Sequence, residues 1–102
     1  MDLNGLLQQA QQMQDGIGKM KAELEKKEFE ASSGGGAVSV KVTGAFEVRE
    51  VKINPEVVSA GDVAMLQDLV MAATNEALRE ARSNMKEEMS KLTGGMPIPG
   101  LM

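Results

Sequence analysis

The chain has 102 residues, a formal net charge of −4, 42% hydrophobic residues and only two aromatic ones, both Phe. That describes one small domain with an aliphatic core, too short to bury long helices by itself, so association with a second copy is expected. It has no Cys and no His, which excludes disulfides, thiolate metal sites, zinc chemistry and Ser-His or Cys-His catalysis; the negative charge means that contact with nucleic acid needs a local basic face.

The first element runs from Leu3 to about Lys27. Leu3, Ala10, Ile17 and Leu24 take one position of a heptad, and Leu6, Met13 and Met20 take the other. The spacing predicts an amphipathic helix about 36 Å long whose narrow seam suits a partner helix. Gly16 and Gly18 lie beside the seam. Each either softens the helix, at about 0.5–1 kcal/mol relative to Ala, or admits a close neighbour.

Three strand-like runs follow: Glu28 to Ser32, Ala37 to Thr43, and Phe46 to Ile53. Val38, Val40 and Val42 share one face of the second run. In the third, Phe46 and Val48 share one parity while Val51 and Ile53 share the other. A connection through Thr43, Gly44 and Ala45 sets Val42 opposite Phe46 and Val40 opposite Val48. One bulged residue near Arg49–Glu50 then sets Val38 opposite Val51. Asn54-Pro55 ends the sheet in a turn, and Asp62 caps the next helix.

Between the first two runs stand Gly34, Gly35 and Gly36. A phosphate-cradling loop leaves a strand and opens a helix. This triplet leads into a strand, with no Gly-Lys-Ser/Thr, so it reads as a hairpin connection that uses glycine at positive φ.

The last helix runs from about Val63 to Leu92, roughly 45 Å, with a stripe at Leu66, Val70, Ala73, Ala77, Ala81, Met85, Met89 and Leu92. Leu69 and Leu78 widen it. It outruns the sheet, so its far half is expected to project or to meet another chain. Thr93-Gly94-Gly95 stops it. The organisation is one α-β-β-β-α domain over residues 1–95 and a flexible tail over 96–102. Neither a signal peptide nor a membrane span is expected.

Basic residues form the candidate site. Arg79, Arg82 and Lys86 fall at i, i+3 and i+7 on one face of the last helix; Lys19, Lys26 and Lys27 lie on the first. They are a solvated face or a phosphate-contacting one. Aromatic residues for stacking on bases are missing from these helices. Asp15 with Lys19, Glu23 with Lys27, and Glu87 with Lys91 stand four apart and are expected to pair along their helices. No motif supports a catalytic carboxylate pair, a metal or a cofactor.

The segments "QQAQQMQ", "VSVKVTG", "INP", "LQDLVMAATNEALREA" and "GGMPIPG", which together span nearly the whole chain, resemble the YbaB/EbfC family of bacterial nucleoid-associated proteins. The resemblance implies an α+β fold of helix, three-stranded antiparallel sheet and helix. It implies a homodimer with paired strands at its centre and helical arms projecting like tweezers. It further implies binding to double-stranded DNA in the cytoplasmic nucleoid, with no cofactor, no small-molecule substrate, no membrane contact and no catalysis. The family pattern carries no short DNA-binding motif, so Arg79, Arg82, Lys86, Lys19, Lys26 and Lys27 rest on charge and helix position alone. The alternative is a non-catalytic module whose projecting helices hold a protein partner.

Overall fold

The computed structural model describes residues 2–92; the expected stop at 93–95 and the tail at 96–102 lie outside them. The elements are α1 (Leu3–Lys26), β1 (Glu28–Ser33), β2 (Val38–Thr43), β3 (Val48–Ile53), α2 (Pro55–Ser59) and α3 (Val63–Leu92). The strands form one antiparallel sheet in the order β1-β2-β3. This is the α+β arrangement expected from the sequence, with α2 added.

Local chemistry explains the helix ends. Asp2 caps α1 by accepting a hydrogen bond from the Asn4 amide at 3.2 Å. Lys27, expected inside that helix, is its C-cap, and its N–H donates to the Leu24 carbonyl. Asn54 does more than end the sheet. Its side chain accepts from the Glu56 amide at 3.0 Å, and Pro55 takes the first helical position, where a missing N–H costs nothing. Asp62 caps α3 as expected, accepting from the Met65 amide at 3.0 Å.

The core lies between α3 and one face of the sheet. Val38, Val40 and Val42 are completely buried there, against Ala73, Ala77 and Ala81. Three alanines in a row let the helix approach the sheet closely, and Phe29, Leu66, Leu69, Val70 and Leu78 close the margins. The Ser33 hydroxyl donates to the Leu69 carbonyl at 2.6 Å, tying the end of β1 to the helix.

The register corrects the expected pairing. Val42 faces Val48, Val40 faces Val51, and Val38 faces Ile53. The bulge is where the parity slip requires it: the step from Lys41↔Glu50 to Val42↔Val48 leaves Arg49 as the extra residue. Phe46, however, does not face Val42. The Thr43 amide donates to the Glu47 carbonyl at 2.9 Å, closing a three-residue loop of Gly44, Ala45 and Phe46. Phe46 takes the left-handed slot of that loop, at φ 63°, where Gly is usual. The Gly34–Gly36 connection is as expected, with φ of 62°, 67° and 95°.

The molecule is long and thin, 71 × 21 × 17 Å. α1 leaves the sheet as an arm. Of its seam only Leu24 is buried and Met20 half-buried; everything from Asp2 to Lys19 is exposed. α3 packs on β1 and β2. The apolar residues of β3 share the face of the core valines but lie beyond this cover.

Candidate nucleic-acid interface

The α3 residues come together as the spacing predicts. At 100° per residue, Arg79, Arg82 and Lys86 lie within about 60° of one another and roughly 100–180° around the helix from Ala77 and Ala81. Those alanines are buried against the sheet, so the three cations occupy the outer face, and all three are exposed.

Their neighbours are mixed. Arg79 Nη2 and Nε both meet Glu76 Oε2, at 2.6 and 3.1 Å, one helical turn away. An exposed pair of this kind is worth roughly 0–1 kcal/mol, but it occupies the guanidinium edge that a phosphate would use. Arg82 and Lys86 form no ion pair among the described residues and are the two open cations of the face. The signal for the Arg79–Glu76 pair was the i, i+3 spacing, which reading the basic residues alone passed over.

The α1 lysines are less coherent. Lys19 and Lys26 are exposed along the helix. Lys27, at its end, reaches Glu88 of α3 at 3.9 Å, and Lys91 reaches the same carboxylate at 3.5 Å. The expected pairs Asp15–Lys19, Glu23–Lys27 and Glu87–Lys91 therefore do not form. Lys27 takes a partner on another element, and Lys91 takes one three residues back on its own helix. The Lys27–Glu88 contact places the base of the α1 arm beside the C-terminal part of α3. Residues 3–14 of the arm, beyond that junction, carry no charge at all.

The open face of the sheet is internally neutralised. Lys41 and Lys52 both meet Glu50, at 3.8 and 3.2 Å, and Ser39 donates to Glu30 at 2.8 Å. The hydrogen bond from Lys52 to Glu50, with the charges of Glu50 and Glu30, raises the Lys52 ammonium above its ordinary value of 10.5. Both lysines are already matched by carboxylates. Among the described residues, no group of three or more acidic side chains is placed to hold a metal ion, and no helix is long and apolar enough to cross a membrane.

A second exposed feature is apolar. Val48, Val51 and Ile53 line the free edge strand at 51%, 45% and 38% exposure, with Phe46 beside them at the hairpin tip. The expected pairing set Val48 and Val51 opposite valines of β2 that are buried. Only the position of α3 shows that one chain leaves them uncovered.

Comparison with known proteins gives a consistent answer. The family profile described as the YbaB/EbfC DNA-binding family matches residues 1–96. A nucleoid-associated protein of Alkaliphilus metalliredigens is 55% identical over 100 residues, covering 98% of this chain and 88% of that one. A nucleoid-associated protein of Clostridium acetobutylicum is 53% identical over 100 residues, covering 98% and 89%. The crystal structure of an uncharacterized protein from Helicobacter pylori shares the fold, with a TM-score of 0.78 at 22% identity over 91% of this chain and 98% of that one.

Proposed function

The chain belongs to the YbaB/EbfC DNA-binding family, and we propose that it is a non-catalytic homodimer that binds double-stranded DNA with low sequence specificity in the bacterial nucleoid. The names of its relatives support the location, and the missing His and Cys support the absence of catalysis. The observation that carries the reading is the outer face of α3, where Arg82 and Lys86 stand exposed and unpaired with Arg79 beside them.

The net charge of −4 does not by itself oppose a phosphate at this face. The Debye length at physiological salt is about 8 Å, so carboxylates elsewhere on a 71 Å molecule are largely screened from a phosphate at this face. Contacts of this kind touch the backbone of the duplex and carry no sequence information. The dimer would form across β3, where the uncovered Val48, Val51 and Ile53 adjoin a free strand edge.

A gel-shift titration on unrelated duplexes at two salt concentrations tests the reading. Similar affinities that fall steeply with salt are expected. No retardation of any duplex at low salt would overturn it and favour the protein-partner alternative, for which the exposed seam of α1 is the supporting feature.

A further inference from the structure

We infer that the projecting part of α1 is a self-association surface, which pairs antiparallel with the same helix of another copy. This contact is separate from the β3 interface proposed above and joins one dimer to the next. The seam is built for a helix and has none. Leu3, Leu6, Met13 and Ile17 repeat at heptad spacing, yet they are 70%, 45%, 66% and 38% exposed. The seam ends where the fold takes it over, because Met20 is half-buried and Leu24 is buried in its own chain. The fully exposed seam therefore spans residues 3–17, with the half-buried Met20 at its margin.

Charge selects a second copy and the direction. Residues 3–14 carry no charge, while Asp15, Lys19, Lys21, Glu23, Glu25 and Lys26 crowd the other half. A parallel pair would lay the two charged halves side by side and align the helix dipoles unfavourably. An antiparallel pair lays each charged half along an uncharged half and aligns the helix dipoles favourably. Packing one heptad position against the other then fixes the register. Met20 meets the partner's Leu3, Ile17 meets the partner's Leu6, and Met13 meets the partner's Ala10, each twice by symmetry. Four of the six layers use fully exposed residues, and the other two set the half-buried Met20 against Leu3. In this register Lys21 lies level with the partner's Asp2, the one charge at the tip. Gly16, with nothing within 4 Å of a Cβ placed there, leaves room for the partner's Gln9.

The chain has no Cys, so disulfide trapping reads the register directly. One chain carries Leu6→Cys and a second, distinguishable by mass, carries Ile17→Cys; both sites are exposed, so the fold is unaffected. Antiparallel pairing brings residue 6 of one chain beside residue 17 of the other, but keeps two copies of residue 6 about 16 Å apart along the axis, beyond the ~7 Å Cα limit of a disulfide. Mild oxidation of the mixture should give the mixed 6–17 product and little of either homodisulfide. Homodisulfides alone, or no crosslink at any concentration, would overturn the inference. In the unmutated background, Leu6→Glu with Met13→Glu should lower the mass at high concentration about twofold, from paired dimers to dimers, with retardation of DNA by the dimer retained. A mass unchanged by that double substitution would also refute it. Loss of DNA binding in both the unmutated and the substituted protein would instead strike at the function proposed above.

Discussion

Gly44 rests directly on the last turn of α1: a Cβ at Gly44 would fall on the carbonyl oxygen of Leu24 and lie 2.7 Å from its carbonyl carbon. The Gly44 amide also donates to the Lys27 carbonyl at 2.9 Å. The β2–β3 hairpin thereby clamps the root of the α1 arm, and the clamp consists of backbone against backbone. Leu24 is the one buried residue of α1, so this contact and the Leu24 side chain set the direction of the arm.

Gly44→Ala is therefore expected to destabilise the fold, although Ala is the better helix and sheet residue in general. The colliding atoms are backbone and cannot rotate away, so the cost should reach the upper part of the ~1–3 kcal/mol usual for overpacking. A denaturant titration should show a lower midpoint at unchanged slope. An unchanged midpoint would mean that the hairpin does not hold the arm.

The Gly34–Gly36 connection gives a graded expectation. All three residues have positive φ, but only Gly34 is crowded, with a Cβ there 2.9 Å from Leu69 Cδ2. Gly35 and Gly36 face open space. Replacing the triplet by Ser-Asn-Gly should cost about 1–3 kcal/mol, mostly at Gly34, with DNA affinity close to that of the unmutated protein. A folded variant that no longer retards DNA would show that the loop contacts the ligand.

The legible parts of the fold were those written as periodicity. The α3 stripe from Leu66 to Ala81, the Val38–Val42 alternation and the parity slip that demands a bulge near Arg49 all survive in the structure. What the pattern could not show was which apolar face stays uncovered. Val51 and Ile53 pair with the buried Val40 and Val38, yet they lie in the open because α3 sits over β1 and β2. Phe46 read as the start of a strand, but the hydrogen bond from Thr43 to Glu47 places it in the turn. The five residues of α2 are too short for any period to register. For the candidate site, spacing along the helix holds both the face and its Arg79–Glu76 pair, whereas Lys27–Glu88 joins residues 61 apart in the chain and leaves no local signal.

The uncovered strip on β3 makes the dimer testable by one charge. Val51 pairs with Val40 on the inner side of β3, and it is 45% exposed in the single chain. Val51→Glu should leave each chain folded, since the side chain can still reach water, but should bury a charge if β3 faces a second copy. The penalty on association should exceed about 2 kcal/mol, enough to turn a micromolar dimer into a monomer in sedimentation velocity. A dimer of unchanged affinity would move the interface away from β3.

The strongest expectation concerns salt. Changing Arg79, Arg82 and Lys86 together to Gln keeps good helix formers at three exposed positions, so the fold should persist. Affinity should fall for all duplexes alike, and the salt dependence should flatten by about 0.9 for each phosphate that the variant no longer neutralises. The three positions should not contribute equally. Arg79 already holds Glu76 at 2.6 Å, so Arg79→Gln alone should weaken binding less than Arg82→Gln. Glu76→Gln should strengthen it, because the change frees the guanidinium and removes a carboxylate from the path of the phosphates. This opposite sign distinguishes contact at the face from a general effect of helix stability, since removing an i, i+3 pair costs α3 a few tenths of a kcal/mol and would weaken binding if stability were the cause. If the triple variant keeps both its affinity and its salt slope, the DNA surface lies off α3, and the exposed Lys19 and Lys26, with Lys27 at the root of the arm, are the cations to change next.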